Sequence, residues 1–292
     1  MMLNNNYKIF VDAGADFDKN FIESGEVEVI PMGYTLNGKV FEWTGTETDS
    51  AAKKIYDSQR NGELTETISL KQEDYNQKFE NIVRHGLGVL YISISSVLSQ
   101  SNHYAKEAKR AMMSKYGNVP FYVVDSMSAT GGTGIMIERA VSNKQRGYSL
   151  EQNAKDISKL SGHIKSWFYV NDLEYLRRNG KTSASKSFFG TLLGVKPILE
   201  ISSDGQLRQI NKSFGTKRAC EVLRDLYLNN GGAMDGTSVY ITHSDDPQNA
   251  VLLRELVRKE NPSLNIKIQI LSPIIGAHTG PNVITIHHYN GA

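Results

Sequence analysis

Three stretches of the sequence concentrate groups able to hold an anion or move a proton. The first, Ser93-Ile94-Ser95-Ser96-Val97-Leu98-Ser99-Gln100-Ser101, packs five serines into nine residues. Hydroxyls and free backbone N–H groups at a helix start suit a carboxylate or phosphate, because the dipole and the orphan donors both favour negative charge. An N-cap serine with solvated neighbours gives the same pattern. The second stretch is Asp125-Ser126 followed by Gly131-Gly132-Thr133-Gly134, placed after a strand and before a helix, where a nucleotide loop would lie. Its glycines are not spaced G-x-G-x-x-G and no lysine completes a P-loop, so a tight turn with close helix packing is the expectation. The third, Gly276-Ala277-His278-Thr279-Gly280-Pro281, sets an imidazole between glycines in an apparent loop before the last strand. That histidine can donate to a carboxylate, take a proton or cap a turn. A serine of the first stretch, with His278 and Asp12, would compose a Ser–His–acid hydrolase, although no G-x-S-x-G elbow accompanies it.

The elements that must position these groups alternate between strand and helix. Lys8 to Val11 reads as a strand ending at Asp12, and Val27 to Leu36 as another. Asn37-Gly38 then predicts a hairpin to Lys39 to Trp43, since a type I′ turn needs positive φ at both central residues. Helices are expected over Glu73 to Arg84, Ser101 to Lys115 and about Ile135 to Lys144, with buried strands over Gly88 to Ser95 and Phe121 to Asp125. Ser149-Leu150-Glu151-Gln152 is a capping box that opens the next helix. The succession implies a mostly parallel sheet with helices on its faces.

From about residue 162 the pattern changes. A strand at Trp167 to Val170 leads through Asn171-Asp172 to a short helix ending at Asn179-Gly180. Ile198 to Ile210 predicts a hairpin turning at Asp204-Gly205, and Arg218 to Leu228 a helix with Cys220 on its apolar side. Asp246-Pro247 supplies an N-cap and a proline at N1 for another helix. Strands at Val239 to His243, Ile266 to Leu271 and Val283 to Tyr289 complete the chain. The reading is two α/β domains, residues 1–164 and 165–292, the first with a mostly parallel sheet and the second with a mixed one.

Composition narrows the function. With 33 basic and 31 acidic side chains among 292 residues, the net charge is +2, which argues against a dedicated nucleic-acid binder. No 18-residue apolar run predicts a membrane span, and the first residues lack a signal-peptide pattern, so a cytoplasmic protein is expected. The single cysteine, Cys220, permits neither an internal disulfide nor a thiolate zinc cluster. The seven histidines show no metal spacing, and the adjacent His287 and His288 point to opposite faces of a strand. No metal or cofactor is expected.

Taken together, these segments resemble the DegV family of fatty-acid-binding proteins along almost the whole chain. Val11-Asp12-Ala13-Gly14-Ala15-Asp16 is similar to the family's strand and Asp-Ser-Thr-Ala-Asp, and Val29-Ile30-Pro31-Met32 to its Val-Pro-Leu. Thr67-Ile68-Ser69-Leu70 corresponds to Thr-Ser-x-Pro, and Ser95-Ser96-Val97-Leu98-Ser99-Gln100-Ser101 to Ser-Ser-x-Leu-Ser-Gly-Thr. Asp125-Ser126 with Gly134 follows the pattern, as does Gly194-Val195-Lys196-Pro197-Ile198-Leu199. The stretch Asp172 to Lys181 resembles Leu-x-x-Leu-x-x-Gly-Gly-Arg, and Gly276-Ala277-His278-Thr279-Gly280-Pro281 is the most specific single match. Five departures stand out: Ala13-Gly14 for Ser-Thr, Ile68 and Leu70 in the threonine motif, Gln100 for glycine, Lys181 for arginine, and Phe214-Gly215 for Arg-Gly.

The resemblance implies two α/β domains with a long-chain fatty acid between them, and in some members presentation of that acid to a fatty acid kinase that makes an acyl-phosphate. Thr67 and serines of the Ser95, Ser96 and Ser99 segment would hydrogen-bond the carboxylate, with His278 beside it. Asp12, Lys181 and Thr279 would lie near the head group or the partner surface. Leu192, Leu193, Val195, Ile198, Phe188 and Phe189 are candidates to line the acyl tunnel, each equally suited to ordinary core. The expectation is a lipid carrier without catalytic machinery, touching a membrane surface at most transiently. Its rivals are an esterase or acyl hydrolase using Ser96 or Ser99 with His278, and a small-phosphate binder at Gly131 to Gly134.

Overall fold

The structure, a computed structural model, describes residues 6–178 and 194–291. Its first half runs β1 (Tyr7–Asp12), α1 (Asn20–Glu23), β2 (Val27–Ile30), β3 (Met32–Leu36), β4 (Lys39–Trp43), α2 (Asp49–Arg60) and β5 (Thr67–Ile68). It continues with α3 (Gln72–Val83), β6 (Gly88–Ser93), α4 (Ser101–Tyr116), β7 (Phe121–Asp125), α5 (Thr130–Gln145) and α6 (Leu150–Leu160). The second half runs β8 (Ile164–Tyr169), α7 (Glu174–Arg178), β9 (Val195–Ile201), β10 (Leu207–Phe214) and α8 (Thr216–Asn229). Then follow β11 (Ser238–His243), α9 (Pro247–Arg258), β12 (Asn265–Ile270), α10 (Pro273–Thr279) and β13 (Ile284–Tyr289).

These elements build two α/β domains. In the first, β2-β1-β6-β7 form a four-stranded sheet with parallel neighbours throughout. Alternation sorts its side chains: Ile9 and Val11 pack toward α5 and α6, whereas Phe10, Val89 and Tyr91 pack toward α3 and α4. Both faces are covered, so the strands read as continuous apolar runs. A second sheet, β4-β3-β5, stands apart. Val27 to Leu36 is therefore two strands, not one: Pro31 has no N–H to give a ladder, and the chain changes sheet there. Asn37 (φ 53°) and Gly38 (φ 68°) make the expected hairpin turn.

The second domain is a mixed sheet in the order β10-β9-β8-β13-β11-β12, in which β11 and β12 are parallel and the other neighbours antiparallel. One face packs on α8 and α9 through Trp167, Tyr169, Ile284 and Ile286, with Cys220 inside that core. Residues Phe168, Leu199, Ile201 and Val283 cluster on the other side with Ile94 and Ala129 of the first domain. Tyr240 of β11 joins the core of α5 and α6. The two domains thus share apolar surfaces, and the site lies where they meet. No helix among the described residues is long and apolar enough to cross a membrane.

Local signals hold at the caps: Ser149 Oγ accepts from the Gln152 N–H at 3.2 Å, and Asp246 caps α9 ahead of Pro247. Two expectations change. Residues 273–279 are a helix, α10, rather than a loop, started by Pro273 at N1 and stopped by Gly280 at φ 79°. Helix α5 begins at Thr130, so the glycines lie inside its first turns.

Candidate site at the domain junction

Thr67 is carried by β5, whose short pairing with β3 sets Thr67 opposite Tyr34. His278 lies near the end of α10, and Thr67 Oγ1 stands 3.1 Å from its Nε2, 211 residues apart in sequence. The position of α10 is fixed mainly by α2. Tyr56 donates to the Leu271 carbonyl at 2.6 Å, and Gln59 Nε2 donates to the Gly276 carbonyl at 2.9 Å and to Thr65 Oγ1 at 2.7 Å. Gly276 is needed because a Cβ there would stand 2.4 Å from Tyr56 Oη. Gly280 is needed twice over, for its positive φ and because a Cβ would meet the Tyr175 ring at 2.5 Å.

The start of α10 is tied to the first domain by Asp16, whose Oδ1 accepts from the Ser272 N–H at 2.9 Å. Its other oxygen is buried without a hydrogen-bond partner. Burial pushes the Asp16 carboxyl up to about 8, against the Ser272 hydrogen bond and the Lys19 charge, which pull it down. A carboxyl raised on folding takes up a proton as the chain folds, so its contribution to stability falls as pH rises from about 4 to about 8. Asparagine stays neutral across that range. Between about pH 6 and pH 8, wild type is expected to lose about 1–3 kcal/mol relative to Asp16→Asn, at no more than about 1.4 kcal/mol per pH unit. Urea denaturation at both pH values measures it, and a constant gap between the two proteins refutes it.

The serine segment is a turn held from below. Asp12 is fully buried; it accepts from the Ile94 N–H at 2.9 Å through Oδ2 and from the Tyr91 hydroxyl through Oδ1. Burial, first among the causes, lifts its carboxyl to about 6 while these donors pull it down. Ser95 donates to the Gly205 carbonyl at 2.9 Å, fastening the β9–β10 hairpin to the first domain. Ser96 is exposed, with its N–H directed to the Asp125 carboxylate at 3.2 Å. Ser99 Oγ accepts from the Ser101 N–H at 3.1 Å and pairs with the Ser101 hydroxyl at 2.8 Å.

A cavity of about 970 Å³, counting the part open to solvent, runs between these groups. Apolar lining comes from the first domain through Met32, Ile94, Leu98 and Ala129, and from the second through Phe168, Leu176, Ile201, Leu207, Leu271, Ile274, Ile275 and Val283. One polar group of its wall comprises Thr67, Ser69, Ser99, Gln100, His278 and Thr279; a second comprises Thr130, Thr285 and His287.

The structure therefore gathers Thr67, Ser99, His278 and Thr279 on one cavity, while Asp12, Ser95 and Ser96 are not among its lining residues. Ile198 packs in the core beneath α8 and α9. Lys181, Phe188, Phe189, Leu192 and Leu193 lie outside the described residues. Ser69, Gln100, the α10 isoleucines and the Thr130 group were not anticipated as site residues. Alternation along β13 does set Val283, Thr285 and His287 on one face, but nothing in the sequence says which face meets a cavity. The glycines after Ser126 serve packing: Cβ atoms at Gly131 and Gly134 would stand 2.5 Å from Tyr240 Cβ and 2.3 Å from the Asp16 carbonyl oxygen. No cluster of three or more metal-ligating side chains occurs among the described residues.

The model of a family described as an uncharacterised protein, DegV family, matches residues 6–290. The chain belongs to the DegV family. A DegV domain-containing protein of Clostridium perfringens is 25% identical over 281 residues, 96% of each chain. Among solved structures, a DegV family protein from Thermus thermophilus, described by its fatty acid binding, superposes with a TM-score of 0.83 at 24% identity, covering 97% of this chain and 99% of that one. The fatty acid kinase B3 protein of Streptococcus pneumoniae, solved loaded with linoleic acid, gives 0.82 at 21% identity, with 97% and 99% covered. These likenesses establish the DegV fold of two α/β domains.

Proposed function

We propose that this DegV protein binds one long-chain fatty acid in the cavity and presents its carboxylate to a fatty acid kinase for acyl-phosphate formation. The observation that carries this reading is the Thr67–His278 pair, 3.1 Å apart in the wall of a largely apolar cavity. A saturated chain of about 14 methylenes gains on the order of 11 kcal/mol at about 0.8 kcal/mol each, before ordering costs. The apolar walls supply affinity, and Thr67, Ser99 and His278 fix the head group. Asp12 and Ser95 act one step back, Asp12 under the Ile94 turn and Ser95 on the hairpin of the domain that follows a division at 164/165. The names of the Thermus and Streptococcus relatives support the ligand class and the kinase partner. The protein works in the cytoplasm without catalytic machinery of its own.

An esterase needs a serine activated by its base. Here the hydroxyl 3.1 Å from His278 Nε2 is a threonine's, Ser99 pairs with Ser101, and Ser96 is turned to Asp125. A fluorophosphonate probe is expected to leave the protein unlabelled. Denaturing extraction and mass spectrometry of purified protein are expected to release about one fatty acid per chain. Thr67→Val, which removes one head-group donor, is expected to weaken uptake of labelled acid about tenfold. Protein that carries no fatty acid and takes up none rules the function out.

A further inference from the structure

The second polar group of the cavity wall is not among the residues assigned above to the carboxylate. Val283, just before β13, and Thr285 and His287 within it alternate onto one face and all line the cavity. At the usual strand rise, Thr285 and His287 lie about 7 and about 13 Å along the strand from Val283. His287 Nδ1 stands 2.8 Å from Ser166 Oγ, and its Nε2 stands 2.8 Å from both Thr130 Oγ1 and Thr285 Oγ1. Thr285 also accepts from the Thr242 N–H at 3.1 Å and pairs with its hydroxyl at 2.7 Å. Burial, with the neighbouring His288 second, drives His287 down to about 3, so the ring is neutral. A neutral ring nitrogen has one lone pair or one proton in its plane and can serve one of the two threonines fully. The hydroxyl of Thr130 has no other hydrogen bond among the described contacts, so it keeps either a proton or a lone pair for a ligand.

The chain goes to some length to place this group. Thr130 is β-branched yet sits at φ 51°, a backbone state that costs on the order of 1–3 kcal/mol and gathers at ligand sites. A Cβ at Gly131 or Gly132, positions already closed to it by Tyr240 and Ser128, would also stand 3.1 Å from the His287 ring, so the imidazole packs directly on the glycine run.

We infer that the Thr130–Thr285–His287 group is a second recognition point that selects a fatty acid bearing a hydroxyl on its chain. The inference rests on the fatty-acid reading above. In an apolar tunnel such a hydroxyl loses its hydrogen bonds to water without return, whereas here it meets a hydroxyl able to accept from it or donate to it.

Delipidated protein equilibrated with an equimolar panel tests this. The panel holds octadecanoic acid and its derivatives with one hydroxyl next to the carboxylate, at mid-chain or near the methyl end. Bound acids are then extracted and quantified. Wild type is expected to enrich one of the two isomers hydroxylated away from the carboxylate about tenfold over the unsubstituted acid. Thr130→Ala, which removes the hydroxyl left over for a ligand, is expected to lose that ratio and Thr130→Ser to keep it; because the readout is a ratio, it stands even if a variant retains less acid overall. Isomers hydroxylated away from the carboxylate that bind no better than octadecanoic acid overturn the inference and leave the fatty-acid reading standing, as does a Thr130→Ala protein that keeps the preference. Failure to bind any acid overturns both.

Discussion

Gly276→Ala is expected to lower stability by about 3 kcal/mol and to reduce fatty-acid retention about tenfold or more. The added Cβ would lie 2.4, 2.6 and 2.8 Å from Oη, Cε1 and Cζ of Tyr56. That ring cannot give way cheaply. It is fully buried and clustered with Trp43, Ala52, Ile55, Leu271 and Ile274, and its hydroxyl is held by the Leu271 carbonyl at 2.6 Å. Relief requires α10 to move by roughly an ångström, and overpacking of this kind costs about 1–3 kcal/mol or more. The same movement carries His278 away from Thr67, so binding suffers beyond the loss of stability. Urea denaturation with labelled-acid uptake measures both. The double variant Tyr56→Ala/Gly276→Ala is expected to lose less than the sum of the two single losses, because contacting sites are not additive. A Gly276→Ala protein with wild-type stability and uptake contradicts the packing of α10 on α2.

That helix, α2, shows where the sequence stops being legible. Its buried positions, Ala52, Ile55, Tyr56 and Gln59, keep a helical spacing, but one is an amide and the flanks are charged, so the stripe is faint. Its partner α10 is equally disguised, because Gly276 in its middle and Gly280 just beyond it read as a loop until Pro273 at N1 and the Tyr56 contact are known. Three of the four parallel strands are plain, since burial on both faces leaves runs such as Val89-Leu90-Tyr91-Ile92 with no polar interruption, whereas β2, with Glu28 in it, runs on into β3 in the sequence. Capping and turn chemistry at Ser149, Asp246, Asn37-Gly38 and Asp204-Gly205 was legible for a local reason: each depends on residues within about four positions. The site is the opposite case. Thr67 and His278 could be named by resemblance, but their meeting at 3.1 Å is a tertiary fact set by Tyr56, Gln59 and Asp16. The polar rungs of β13 were visible as an alternation whose inward face no local rule assigns.

Asp12→Ala is expected to cost about 3–5 kcal/mol, whereas Asp12→Asn costs no more than about 2. Alanine leaves the buried Ile94 N–H without an acceptor and the Tyr91 hydroxyl with only the long contact to Tyr75 Oη at 3.5 Å, at about 1–3 kcal/mol each, and opens a void beneath the turn. Asparagine can still accept from Ile94 through its oxygen. Its amide can donate to the Tyr91 oxygen, whose proton then turns to Tyr75 Oη at 3.5 Å. The asymmetry separates two roles for Asp12. A carboxylate acting on the head group by charge would make Asn and Ala comparably harmful to binding, with little effect on stability. A carboxyl acting as an acceptor under Ile94 makes Ala harmful to stability and, through Ile94, Leu98 and Ser99 in the cavity wall, to binding, while Asn is largely spared in both. The acceptor role is the one these contacts support, since Asp12 is fully buried and both its oxygens are engaged by Tyr91 and Ile94. Urea midpoints and acid retention of the two variants decide it, and an Asp12→Ala protein within about 1 kcal/mol of wild type defeats the acceptor role.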